Sequence, residues 1–174
     1  MVLELLFVAV LPAILITAGA WDLTTFTIPN IFPAVLVLLF VVFAAAMLFA
    51  PLPIAFAQIE LQLAGGGIGL AVGVVFFALG LIGGGDAKFF AAAALWLGWH
   101  SLLEYAVLAS LYGGVLTIGI LILRQVPVPN GLVAHDWFMR LTDRRSGIPY
   151  GVALSAAALS VLPNSDLFRL AAAQ

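Results

Sequence analysis

Ile31-Phe32-Pro33-Ala34-Val35-Leu36-Val37-Leu38-Leu39-Phe40-Val41-Val42-Phe43-Ala44-Ala45-Ala46-Met47-Leu48-Phe49-Ala50 is a run of twenty residues without one polar side chain. A helix that crosses a bilayer needs about 20 mostly apolar residues. Comparable runs lie on both sides, at approximately residues 2–21, 61–82, 87–99, 102–123 and 148–162. The whole chain of 174 residues is 65% hydrophobic and 8% charged, with a mean hydropathy of +1.25. An ordinary soluble domain is about a quarter charged. A domain of this size could not hide so much apolar surface from water. The expected fold is therefore all-α: a polytopic integral membrane protein of six spans, forming one membrane-embedded domain over 1–174. Helices are required because an open sheet cannot satisfy its backbone in lipid.

The connections between runs set the orientation. The segments 22–30 and 83–88 and the loop 124–147 fall on one side. They hold Lys88, Arg124, Arg140, Arg144 and Arg145, five of the six basic residues. Basic residues mark the cytoplasmic face. The N-terminus, the proline-broken segment 51–60, the 100–101 turn and the tail fall on the other side. Both termini are thus expected outside. Trp21 and Trp137 are expected at the inner interface, and Trp96 and Trp99 near the outer one. The start Met1-Val2-Leu3-Glu4-Leu5 lacks a positive n-region, so the first run reads as a retained span. In the inner loop, Val133, Trp137, Phe138 and Leu141 stand at helical spacing. That suits a short interfacial helix as well as a solvated loop.

Several classes of function are excluded. A net charge of −2 leaves no basic patch for phosphates, so nucleic acid is not an expected partner. Cysteine is absent, which removes disulfides, thiol nucleophiles and cysteine metal sites. No HExxH or other metal-ligand spacing occurs, and neither metal nor cofactor is expected. His100-Ser101 falls at the outer end and lacks the constellation of a serine hydrolase. His135-Asp136 reads as a solvated pair, Glu60 and Glu104 as outer-interface charges. Arg144-Arg145 reads as a topology signal that also attracts anionic lipid. The ladder Gly65-x-x-x-Gly69-x-x-x-Gly73 permits close helix packing.

Two carboxylates stand out. Asp22 and Asp86 are separated by two complete spans, and an even number of crossings returns the chain to the same side. Both therefore sit at cytoplasmic helix ends, at similar depth. Ionisable groups near membrane depth tend to face a bundle interior or a wet cavity. Two close carboxyls resist ionising together and share a proton. One then activates water as the other protonates a leaving group, which is peptide hydrolysis without metal or cofactor. Two helix-end aspartates that only cap helices or face water fit the same positions.

The local sequence supplies a resemblance. Gly83-Gly84-Gly85-Asp86-Ala87-Lys88 is similar to the GxGD motif of membrane aspartyl proteases, and in its GGGDxK form resembles the type IV prepilin peptidases. Asp22, followed five residues later by Ile28-Pro29-Asn30, resembles the segment bearing that family's first aspartate. Ile148-Pro149-Tyr150-Gly151 is similar to its PYG-type segment. The length resembles the short forms of tight-adherence (Flp-type) pilus systems, which lack the methyltransferase region. The first loop departs from the family pattern: it reads Leu23-Thr24-Thr25-Phe26-Thr27 where basic residues are common.

The resemblance implies a catalytic pair, Asp22 and Asp86, and a substrate. That substrate is a pilin precursor with a short basic leader, cut at the cytoplasmic face of a bacterial inner membrane. It further implies endopeptidase activity alone, without S-adenosylmethionine. Membrane lipid is the other expected partner; the oligomeric state stays open. Around the pair, Gly83, Gly84 and Gly85 lack side chains, so backbone can approach a substrate strand, and they let the helix end loosen. Lys88 fits two roles: favouring an ionised Asp86, or contacting lipid phosphate as an anchor, the preferred reading. Pro29 and Asn30 fit a helix start. A small transporter or proton channel is the rival class, since intramembrane acids also relay ions. A structural subunit of a membrane complex is the third.

Overall fold

A computed structural model describes residues 9–49, 55–126 and 136–172, and all helices, contacts and sites below are those of these residues. The helices are α1 (Leu11–Thr25), α2 (Ile31–Phe49), α3 (Ala55–Ala78), α4 (Gly84–Leu97), α5 (Trp99–Leu123), α6 (Asp136–Thr142), α7 (Tyr150–Val161) and α8 (Asp166–Ala172). A single 3-10 turn, Leu162–Asn164, joins α7 to α8. Among the described residues there is no strand.

Two helices are long and apolar enough to cross a membrane, at Gln58–Ala78 and Trp99–Leu123. Their large apolar side chains face outward: Val74, Val75 and Phe77 on α3, and Leu103, Leu111, Val115 and Ile122 on α5, are all exposed. Water would penalise such a surface; hydrocarbon does not. Such a surface suits a protein embedded in a membrane.

α4 is the hub of the bundle, packed by α2, α3, α5 and α7. Its sequence suits that position. Ala91, Ala92, Ala93 and Ala94 are all buried, so neighbours approach closely on every side. The glycine ladder of α3 meets it along its length. A Cβ at Gly65 would lie 2.6 Å from the Gly98 carbonyl carbon, one at Gly69 3.0 Å from the Ala94 Cβ, and one at Gly73 3.1 Å from the Ala87 oxygen. The ladder is a packing seam, as expected from the spacing. On the opposite flank Phe40 and Phe43 of α2 enclose Trp96. Its indole N–H donates to the Leu36 carbonyl at 2.9 Å. Trp96 is therefore a core residue, not an outer-interface anchor. Trp99 and Trp21 do remain exposed.

Several boundaries differ from the sequence expectation. The first helix continues past Asp22 to Thr25 and ends on Phe26, a non-glycine residue at φ 60. Residues 1–8 of the expected first span lie outside the described residues, as do residues 50–54 and 127–135, His135 included. α3 begins by Ala55, inside the segment 51–60 expected to break the chain, and stops at Ala78 on a turn with Gly80 at φ +71. α4 starts at Gly84, so Gly84 and Gly85 form a regular first turn and do not loosen the helix end. The tail after 162 is helical. The loop 124–147 contains a short helix, α6, which covers Trp137, Phe138 and Leu141; Val133 lies outside the described residues.

Candidate active site

The ends of α1 and α3 and the starts of α2, α4 and α7 meet at one end of the bundle. Close contacts define it. The backbone N–H of Gly151 donates to Asp22 Oδ2 at 2.6 Å. A Cβ at Gly85 would lie 2.7 Å from the Ile28 oxygen. Lys88 Nζ donates to Asn30 Oδ1 at 3.0 Å. The opposite end has its own fixings, where Gly98 abuts the buried amide of Gln62 and His100 pairs with Asp166 at 2.8 Å. The three motif segments, scattered from residue 22 to 151, thus converge at a single end.

Asp22 sits in the last turn of α1 and is 2% exposed. Its carboxylate points at the N-terminus of α7, where unpaired backbone N–H groups and the helix dipole favour negative charge. Only glycine fits beneath it. A Cβ at residue 151 would stand 2.8 Å from Asp22 Oδ2 and 2.6 Å from Ile28 Cδ1. Gly151 at the start of α7 therefore builds the seat of the first aspartate.

Asp86 occupies the third position of α4 and accepts a hydrogen bond from the Gly83 N–H at 3.2 Å. Gly83 is thus the cap of the helix that carries Asp86. Gly85 lets the Ile28-Pro29-Asn30 segment lie against the same turn. The contacts of Gly84 are looser: a Cβ there would be 3.4 Å from the Phe77 ring. Pro29 and Asn30 lead directly into α2. The Lys88–Asn30 bond ties the second motif to the first. This is a use of Lys88 that neither sequence-based role included.

Asp22 senses the charge of Asp86. Both lie beyond the ends of the apolar runs. Burial lifts Asp22 to about 6; the Gly151 N–H pulls it down, the negative charge of Asp86 pushes it up, and the Val152 N–H pulls it down again. Asp86 is also raised, by burial, against the lowering pull of the Gly83 N–H. A pair in which one member holds its proton while the other is ionised can supply an acid and a base together. Among the described residues no cluster of His, Asp and Glu could hold a metal ion.

Two residues important to this geometry were not singled out as site residues from the sequence. Gly151 was noted only as part of a motif. Its signal was there, since a glycine at the first turn of a helix invites the question of what lies against it. Arg124 was read as a topology charge. Its guanidinium donates to the carbonyls of Leu141 at 2.8 Å, Ser146 at 2.9 Å and Gly147 at 3.0 Å. It thereby fixes the strand of chain that delivers Tyr150 and Gly151. Nothing local in the sequence announces those three acceptors.

Asp86 also lines a cleft of about 590 Å³ between α3, α5 and α7, with Gly73, Phe76, Gly113, Thr117 and Tyr150 among its walls. A second cleft, of about 680 Å³, opens between α2, α3 and α4, with Asn30 and Lys88 at its head.

No curated protein and no solved structure shows a match to the chain. The family model of the type IV leader peptidases matches residues 9–118. That stretch holds both aspartates, the Ile28-Pro29-Asn30 segment and the triple glycine, and it covers more than half of the chain. The chain belongs to the type IV leader peptidase family.

Proposed function

We propose that this protein is a membrane aspartyl endopeptidase that removes the short basic leader of type IV or Flp-type pilin precursors. Asp22 and Asp86 form its catalytic pair. In the singly protonated pair, the ionised carboxylate takes a proton from a water molecule as that water attacks the scissile carbonyl. The protonated carboxyl hydrogen-bonds the carbonyl oxygen. Collapse of the tetrahedral intermediate breaks the C–N bond, and the leaving amine takes a proton from the pair. The observation that carries this reading is the placing of two carboxylates from distant helices at one end of the bundle, each held by a backbone N–H, with the charge of Asp86 acting on Asp22.

The site works at the cytoplasmic face of a bacterial inner membrane, in a bundle of six spans with both termini outside. A precursor held by one apolar helix presents its leader junction at that interface, which is a proximity effect. Gly83 leaves the space beside the Asp86 carboxylate clear, Gly84 packs by Phe77, Gly85 seats the Ile28-Pro29-Asn30 segment, Pro29 and Asn30 start α2, and Lys88 holds the two motif segments together. No cofactor takes part.

Co-expression with a pilin precursor tests the reading. Wild-type protein cleaves it. Asp22→Asn and Asp86→Asn each abolish cleavage and leave insertion intact, because an amide keeps the size and cannot shuttle the proton. A small transporter or proton channel, or a purely structural subunit, would leave the precursor whole. Cleavage by either folded variant at the wild-type rate would exclude the pair.

A further inference from the structure

Two apolar clefts of similar volume flank α4, and they differ in the charge at their heads. The cleft between α2, α3 and α4 is headed by Lys88 and Asn30. The cleft between α3, α5 and α7 is headed by Asp86. Tyr150 forms a corner of this second cleft, one residue before the glycine that seats Asp22. Of the two carboxylates Asp86 lines the cleft, while Asp22 is buried against Gly151.

The body of the second cleft is built for a helix. On α5, Ala106, Ser110, Gly113, Gly114 and Thr117 line it. These small residues recur at helical spacing and cover about 16 Å of rise, at ~1.5 Å per residue. Small side chains let a second helix backbone come close in lipid, where packing and not water expulsion drives association. The cleft runs beside α3 and α5, the two helices long enough to cross the membrane, so its body lies in the apolar layer.

We infer that this cleft, from Asp86 along the small face of α5, seats the hydrophobic helix of the precursor. The inference rests on the peptidase reading above. Charge decides between the two clefts. A substrate whose basic leader adjoins an apolar helix brings cations to the head of whichever cleft it enters. Asp86 attracts them; Lys88 repels them. Seated in the second cleft, the first residues of the helix lie beside Asp86 and the leader extends past it. In the first cleft the same junction would face a lysine, on the other side of α4.

Gly114 provides a clean probe, since a Cβ there meets nothing within 4 Å. Gly114→Leu is expected to project into the cleft, and its thermal unfolding, matched to wild type, checks that the bundle is intact. Gly119→Leu, on the same helix with open space around it, does not line the cleft and serves as control. The substrate is a synthetic precursor, a basic leader joined to an apolar helix of about twenty residues. Gly114→Leu is expected to raise KM about tenfold or more with kcat little changed, a loss of binding rather than of chemistry. Gly119→Leu is expected to match wild type. In parallel, a photo-crosslinking residue replaces Ile118 or Leu38, one in each cleft, in the Asp86→Asn background. Adducts with the precursor from position 118 and not from position 38 support the assignment. Equal KM values for both leucine variants, adducts from position 38, or lipid adducts alone would overturn it. If wild-type protein cleaves no precursor and position 118 still captures it, the peptidase reading fails and the docking site stands.

Discussion

Gly151 and Asp22, 129 positions apart in the chain, form a hydrogen bond of 2.6 Å between a backbone N–H and a carboxylate. The bond makes the start of α7 part of the site, although α7 carries no acidic residue. It also explains why the third motif segment ends in glycine. The donor must come within bonding distance of a buried carboxylate, and a side chain on the donor residue would occupy that space.

Gly151→Ala is accordingly expected to lower precursor cleavage at least about tenfold. The added methyl would stand 2.8 Å from Asp22 Oδ2 and 2.9 Å from Asp22 Cβ. Gly147→Ala, just upstream with open space around it, is expected to be nearly silent. Cleavage of a co-expressed precursor, normalised to inserted protein, checks both. Full activity of Gly151→Ala would mean that Asp22 works from another position.

The raised carboxyl of Asp22 gives a prediction with a definite sign. Its ordinary value is 3.8 and in the fold it rises to about 6. The folded protein thus binds the proton more tightly than the unfolded chain. The stability associated with Asp22 is fully present below about pH 4 and is lost as pH rises through about 6. Asp22→Asn should remove that loss. Thermal unfolding in detergent micelles should show wild type and variant diverging between about pH 4 and 6, with the variant the more stable at neutral pH. A constant difference across that range would contradict the assignment.

Arg124 is expected to act through position and not through charge. Its fork spans three carbonyls on the segment leading to α7, and lysine cannot reproduce that geometry. Arg124→Lys should therefore lose activity despite retaining the basic residue. The loop should also open, so trypsin should cut at Arg144-Arg145 faster than in wild type. An Arg124→Lys protein with normal cleavage and normal trypsin resistance would leave only a topological role.

The glycines of α3 should separate by environment. Gly65→Ala places a methyl 2.6 Å from the Gly98 carbonyl carbon, whereas a methyl at Gly67 meets nothing within 4 Å. Overpacking at Gly65 should cost about 1–3 kcal/mol. Gly67→Ala should stabilise by up to about 1 kcal/mol through helix propensity. Thermal unfolding of the two variants under identical lipid and detergent conditions measures both.

Composition and parity carried the all-helical reading and placed Asp22 and Asp86 at the same end, because run length and crossing number do not depend on packing details. The Gly65–Gly69–Gly73 ladder was legible for the same reason: its period alone marks a face. What lies against a face was not legible. Trp96 resembles an interface tryptophan in sequence, and only the Leu36 carbonyl and the two phenylalanines of α2 reveal it as core. Arg124 looks like any inner-face cation until its three acceptors are known. The Lys88–Asn30 bond joins residues 58 apart, and side-chain partners at that separation have no local signature.

The buried alanines of α4 bear on how such a protein is made. α4 has 14 residues and so spans about 21 Å, against a hydrocarbon core of about 30 Å. Ala91 to Ala94 add little apolar area of their own. A segment this short and this mildly greasy is a poor client for solitary release into lipid from the insertion machinery. It is held in place by the helices that surround it, two of which, α5 and α7, are synthesised after it. The helix bearing Asp86 therefore reaches its working position only once the later helices have emerged. In the nascent chain the two aspartates are not seated together until α7 has emerged.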